Sequence, residues 1–336
     1  KVTRRGEKYK DSGVKQIHVL ALIPKIPENY PNIKTILSEL DLEEFSYNLA
    51  SDFKLINMAC GQQGHRSTYP CPFCLSQGRG KDVDNFEDQY EAELRTFGFN
   101  RQQAKKFQAN KKTAAKDCFN VVNEPVLDAD DDDYILDVIL ISSLHINLGL
   151  VFKVLEKLDD DLEKLGHPGW ILVWLRRNSI LGERDGNLND LNGPATTKFL
   201  KKLDQLRADL IKLKANAQLK YVDVAQALSE VRTACFGSEP ESLDPSFDDK
   251  IRHLEEVWKN AGISVTTKAH CLFRHVPEQI WKHEMPLGKY SEQAVEACHY
   301  DFLQHYKGYK RLPNTKDYAE KLLRAVCSYN SLHMQN

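Results

Sequence analysis

Two half-sites far apart in the chain constrain it most: Cys71-Pro-Phe-Cys74 and His270-Cys-Leu-Phe-Arg-His275. A Cys-x2-Cys knuckle points two thiolates at one ion, and His-x4-His lies inside the usual zinc range. If both halves serve one ion, the fold must bring together residues with 195 positions between them, which excludes a compact zinc finger. Such a site would staple two distant parts of the chain. Taken alone, Cys-x2-Cys also suits redox chemistry, and Cys271 is a competing ligand ranked below the two histidines. Eight cysteines in 336 residues are too sparse for a secreted disulfide framework. Cys60, Cys298 and Cys327 fall within helical patterns, where a thiol is ordinarily a small core residue.

The first 75 residues read as α/β. Ile17, Val19, Ala21 and Ile23 alternate with His18, Leu20 and Leu22 up to Pro24, which predicts a strand apolar on both faces. Ile33, Ile36, Leu37 and Leu40 have helical spacing. Glu44–Ala50 alternates again and stops at Ser51-Asp52. A helix is expected over Phe53–Cys60, capped by Ser51 or Asp52 and stopped by Gly61. His65–Tyr69 reads as a further short strand leading into the knuckle. Strand, helix, strand, helix, strand is the punctuation of an α/β fold.

From Ser76 to Met285 the pattern is mostly helical. Helices are expected over Asp88–Asn110, Ser143–Leu162, Trp170–Arg177, Thr197–Ala215, Val222–Cys235 and Ser246–Ala261. The clearest is the second, with Leu144, Leu148, Val151, Phe152, Leu155, Leu158 and Leu162 along one stripe. Ser291 then announces a helix from Glu292 to about Tyr306, and Asp317–Asn330 closes the chain as an amphipathic helix. The organisation is therefore 1–75, 76–285 and 286–336.

Length allows two domains, or one core with a large insertion. No apolar run approaches the roughly 18 residues that a membrane helix needs. The net charge of −2 does not announce nucleic acid. It conceals segregation, with Asp128 and Asp130–Asp133 against Lys105, Lys106, Lys111, Lys112 and Lys116, either of which also suits ordinary solvated surface. The chain opens on KVTRRGEKYKD, neither an initiator Met nor a signal peptide, and is expected to be part of something longer.

Three carboxylates are candidates for chemistry. Asp52 ends a strand, a position that equally suits a helix cap. Glu292 and Glu296 lie four apart on one helix face, so both can look toward one point or simply toward solvent. Three carboxylates converging on two divalent ions would serve phosphoryl chemistry: one ion activates water or a 3′-hydroxyl, and the other stabilises the leaving oxygen.

The order of these features resembles the catalytic core of the V(D)J recombination-activating recombinase and of Transib-type transposases. A strand ends at Asp52, and Cys71 follows nineteen residues later. Then come Cys-x2-Cys, a long helical stretch, His-x4-His and an acidic helix. Shorter stretches agree: Leu144-His145 with Gly149, Leu191-Asn192-Gly193, and His275-Val276-Pro277-Glu278 before Gly288.

The resemblance implies an RNase H-like core of the DDE class, interrupted before its last catalytic helix by a large, mostly helical, zinc-stapled insertion. Residue by residue, Asp52 is similar to the second catalytic Asp. Cys71, Cys74, His270 and His275 match structural Zn2+ ligands. Glu296, eight residues after Gly288, best matches the catalytic Glu, with Glu292 as the fallback. His145 matches a His near the scissile strand, although a helix start also accommodates it. Asp52 and Glu296 would hold Mg2+ or Mn2+.

Further implications are double-stranded DNA (transposon ends or recombination sites) as partner, a homodimer and a nuclear location. In such a fold the first catalytic Asp lies on the first strand. Asp11 precedes the Ile17 strand rather than ending one, so that first strand is expected upstream of Lys1, with Lys1-Val2-Thr3 as a remnant of the second. The function expected is DNA cleavage and strand transfer, the alternative a domesticated, inactive DNA- or chromatin-binding descendant.

Overall fold

A computed structural model describes residues 26–40, 48–64, 67–78, 92–110, 112–183, 186–291, 293–309 and 315–334. The expected strand at Ile17–Ile23, Asp11 and Lys1–Thr3 lie outside them. The chain divides into two compact units, one of Lys1–Leu42 with Glu292–Asn336 and the other of Glu43–Ser291.

In the larger unit, β1 (Leu49–Ser51) runs parallel to β2 (Ile139–Ile141), in the register Leu49↔Ile139, Ala50↔Leu140, Ser51↔Ile141. A parallel pair needs a long crossover, and this one carries α2 (Phe53–Ala59), the cysteine knuckle, α3 (Phe97–Ala109) and α4 (Ile135–Val138). Ile139, Leu140 and Ile141 are all buried. Such a continuous apolar run suits an interior strand but is silent in periodicity, which is why β2 was not expected inside 76–285. The amide of Ile141 donates to Gln279 Oε1 at 2.8 Å, so a side chain occupies a sheet-edge donor.

Asp52 caps α2 as expected, its Oδ1 accepting from the Leu55 amide at 2.8 Å. Gly61 stops that helix at φ +71°, and a Cβ there would lie 1.9 Å from Asn123 O. That close approach lets the amides of Val122 and Asn123 both donate to Gly61 O. Two expectations fail nearby. Ser67–Tyr69 is a bend, not a strand, because the Tyr69 amide is taken by the Asn120 side chain at 2.7 Å. Of the helix expected over Asp88–Asn110, residues 88–91 lie outside the described residues, 92–96 are not helical, and α3 starts at Phe97, where Thr96 caps it by accepting from Phe99 N.

The helical body is organised on α5 (Ser143–Lys164), whose Ile146, Leu150, Val151, Val154, Leu155, Leu158 and Leu162 are buried. Each such side chain contributes about 2 kcal/mol of transfer free energy. Around it stand α6 (Trp170–Arg177), α7 (Gly193–Leu200), α9 (Leu219–Cys235) and α11 (Thr267–His283), while α8 (Leu203–Lys212) and α10 (Phe247–Asn260) pack on α9. The single helix expected over Thr197–Ala215 is two, broken at Lys201-Lys202. No helix breaker stands there; α7 lies against both α5 and α9 whereas α8 packs on α9, so tertiary contact sets the bend.

In the smaller unit are α1 (Tyr30–Leu40), α12 (Gln293–Tyr306) and α13 (Tyr318–Met334). Helices α12 and α13 share a small core of Cys298, Phe302, Ala325 and Tyr329.

Candidate metal centre and adjoining cleft

Pro72, between the cysteines, turns the chain at the knuckle, and a short antiparallel bridge pins it. Cys74 pairs with Leu94, the Leu75 amide donates to Glu93 O, and the Arg95 amide donates to Phe73 O. The opposite half-site lies on α11, where five residues carry the histidines about 7.5 Å along the axis. The imidazole rings nonetheless converge, with centroids 5.0 Å apart and planes at 80°.

All four residues are buried, and their ligand atoms lie within 4.8 Å of one another. Cys71 Sγ is 3.4 Å from His275 Nε2, and Cys74 Sγ is 3.2 Å from His270 Nε2. Tetrahedral Zn–S and Zn–N bonds of about 2.3 and 2.0 Å put such atoms about 3.5 Å apart. The set can therefore hold a structural metal such as zinc, as the spacing foretold. Cys271, the competing thiol, stays outside the four and acts on Cys71 as a hydrogen-bonding neighbour.

The electrostatics point the same way. Burial first, then the hydrogen bond with Cys271, pushes the Cys71 thiol well above its usual range. The hydrogen bond with Cys71, followed by burial, raises Cys74. Burial, then the neighbouring charge of His270, holds the His275 imidazole well below its ordinary range. Without a cation the site favours protonated thiols and a neutral His275, and a bound divalent ion inverts that preference for the thiols.

Two buried cations adjoin the site, and neither was singled out from the sequence. Arg95 is fully buried, donating from Nε to Cys74 O (2.9 Å) and from Nη2 to Phe119 O (3.1 Å), so it clamps the knuckle's backbone. Arg274, one residue before His275, forms a two-pronged ion pair with Glu255 of α10, with 8 and 11% of their side-chain surfaces exposed. Arg274 Nη1 also donates to Phe273 O, the carbonyl that Pro277 leaves without its helical donor. The only signal for this pair was a proline four residues after a carbonyl in a metal-bearing helix.

Beside the metal residues lies an open cleft of about 1050 Å3. Its walls include Asp52, Lys54, Cys71, His145, Lys153, Lys268 and His270. Asp52 directly follows β1, and His145 lies in the first turn of α5, four residues after Ile141 ends β2. Both are half-buried, unlike the closed metal set. Capping occupies Oδ1 of Asp52; a carboxylate has two oxygens and about four lone-pair positions, so capping and ligation are compatible. Glu296 lies on α12, with its side chain outside the described residues, as is Glu292 entirely. Among the described residues, no group of three carboxylates converges to hold Mg2+ or Mn2+.

The remaining thiols that can be judged are inert in character: burial pushes Cys60 and Cys235 up to about 12. Lys105, Lys106, Lys112 and Lys116 of the basic run are exposed on and just after α3. Residues 12–113 match a family described as "Domain of unknown function (DUF8703)", a stretch that holds Asp52, Cys71 and Cys74 but neither histidine. No curated protein matches the chain.

Proposed function

We propose that this chain is most of the catalytic core of a DDE-type DNA transposase or recombinase, lacking the strand with the first catalytic Asp, with an RNase H-like fold and a structural zinc stapling its helical insertion. One observation carries the reading. Asp52 and His145 follow the carboxyl ends of neighbouring parallel strands and line one open cleft, the place where α/β sheets generally present ligand-binding residues. The buried Cys2His2 set beside that cleft supports the second half of the reading.

In this reading Asp52 is one of the metal-holding carboxylates, Glu296 another, and His145 lies against the scissile strand. Divalent ions bound there would supply the Lewis acidity that activates water or a 3′-hydroxyl toward a phosphodiester. The chain's own part is to fix Asp52 through its capping bond, to orient the DNA along the cleft, and to hold the cleft wall rigid through the metal staple. Two DNA ends joined in one reaction imply a homodimer on DNA, in the nucleus.

The test is strand cleavage by the full-length protein on terminal-repeat DNA with Mg2+ or Mn2+. Nicked ends are expected, and Asp52→Asn and Glu296→Gln should each abolish them. No cleavage by the intact protein, or cleavage that survives both substitutions, overturns the enzymatic reading. Salt-dependent DNA binding without cleavage would instead support the domesticated, inactive descendant.

A further inference from the structure

Two residues that each break a local rule meet at one point of the cleft. Gly149 lies inside the 22-residue helix α5, where glycine is less favourable than alanine because it loses more backbone freedom. Lys268 lies in the first turn of α11, which holds no acidic residue, although the positive end of a helix disfavours a cation. Neither choice helps its own helix. They are in register across the helix interface: a Cβ at residue 149 would lie 2.2 Å from Lys268 Cδ and 3.0 Å from its Nζ. The glycine is thus the gap through which the lysine side chain crosses α5.

Where it crosses matters. His145, Gly149 and Lys153 are spaced by four along α5, and all three line the cleft together with Asp52, Lys54 and Lys268. Lys153 is paired with Glu156 at 2.5 Å. Lys268 is two residues from His270, in a first turn that Thr266 caps by accepting from the Ala269 amide. Departures from local preference that coincide at a cleft are the expected mark of a functional position rather than of packing.

We propose that Lys268, carried across Gly149, contacts a phosphate of the nucleic-acid strand bound beside Asp52 and His145. The inference rests on the DNA reading above and adds to it a named phosphate-binding residue and the glycine that admits it. Lys268 positions the backbone and reads no base. Gly149→Ala is an unusually clean probe, because its Cβ meets a flexible side chain rather than backbone. The lysine must move, while the helix gains a better former.

The experiment is fluorescence anisotropy of a short labelled DNA duplex with full-length protein, in Ca2+ without Mg2+, over a series of KCl concentrations. Lys268→Ala should weaken binding about tenfold and lower the steepness of log K against log[salt] by about one, as for one lost phosphate contact. Lys268→Arg should keep the wild-type slope. Gly149→Ala should lose affinity while its Tm stays equal or rises, and adding it to Lys268→Ala should cost nothing more. That split between affinity and stability is one that a purely structural lysine would not produce.

If Lys268→Ala loses its zinc or its cooperative melting, Gly149→Ala, with all ligands intact, decides alone. Wild-type binding with an unchanged slope in both variants overturns this inference and leaves the DNA reading standing. Additive losses overturn the crossing of Lys268 over Gly149. Absence of salt-dependent duplex binding by the wild type overturns both readings.

Discussion

The metal set and the Asp52–His145 pair border one cleft and are built in opposite ways. Cys71, Cys74, His270 and His275 are buried, mutually within ligand distance and backed by Arg95 and the Arg274–Glu255 pair. Asp52 and His145 are half-buried, stand on separate elements and face open volume. Structural metal sites are closed by four protein ligands, whereas catalytic sites keep positions open for water and substrate. Under the function proposed above, the first region would serve stability and the second chemistry. Substitutions in the first should therefore unfold the protein, and substitutions in the second should silence it without unfolding it.

The largest effect is expected from the ligands. Cys74→Ser or His275→Ala should reduce tightly held zinc from about one per chain to none, and should abolish cooperative melting of the larger unit. Structural zinc contributes roughly 10–16 kcal/mol in small domains at neutral pH, as much as the roughly 5–15 kcal/mol that typical domains hold in reserve. Zinc analysis beside calorimetry checks this, and full thermal stability in a zinc-free variant would break the assignment.

Acid should act through the same ligands. In the metal-free fold Cys71 and Cys74 are raised, hence protonated at neutral pH, while His275 is lowered and already neutral. Zinc binding thus displaces about two thiol protons and none from His275, so retention should strengthen as pH rises and weaken as it falls. A chelator competition run between acid and neutral pH reads that slope. Affinity independent of pH would mean that the thiols are not ligands.

Next in size is the ion pair. Glu255→Gln leaves the Arg274 guanidinium buried without its charge partner, which costs about 3–5 kcal/mol. Zinc should still bind, because no ligand is touched. A stability loss with zinc retained would separate the frame from the metal; loss of both would show that Arg274 also fixes His275.

What could be read beforehand divides along the same line. Cys-x2-Cys and His-x4-His are short-range spacings set by the reach of side chains around one ion, so the four ligands were legible across the whole chain. Asp52 and Gly61 were legible for the same reason, since caps and stops are local. The stripe on α5 was legible only in part, because Val151, Leu155, Leu158 and Leu162 are buried as expected while Leu144, Leu148 and Phe152 are half-buried and Ile146, Leu150 and Val154 take the inner face. Arg95, Glu255 and the Lys268–Gly149 crossing were not, because each is defined only by what packs opposite it. The strand β2 was hidden by its burial on both faces, which erases the alternation that betrays β1. Lys201-Lys202 carries no breaker, and the break between α7 and α8 follows the contact that α7 alone makes with α5 beside the α9 surface both share.

The smallest effect on stability, and the sharpest test of the contrast, belongs to Asp52. Its capping bond to Leu55 N stabilises α2 by about 1 kcal/mol. Asp52→Ala should therefore lower Tm by about 2–4 °C in a body of this size. Asparagine caps as well as aspartate, so Asp52→Asn should melt within a few tenths of a kcal/mol of wild type. It nevertheless exchanges a charged ligand for a neutral amide. If Asp52 is only a cap, strand cleavage follows stability, and the Asn variant stays active while the Ala variant weakens slightly. If Asp52 holds a divalent ion, both variants lose cleavage whatever their Tm. The pair of substitutions thus sets one oxygen's role in the helix against the charge of the whole carboxylate. An active Asp52→Asn would remove the chemical half of the contrast and leave the cleft a binding surface beside a metal staple.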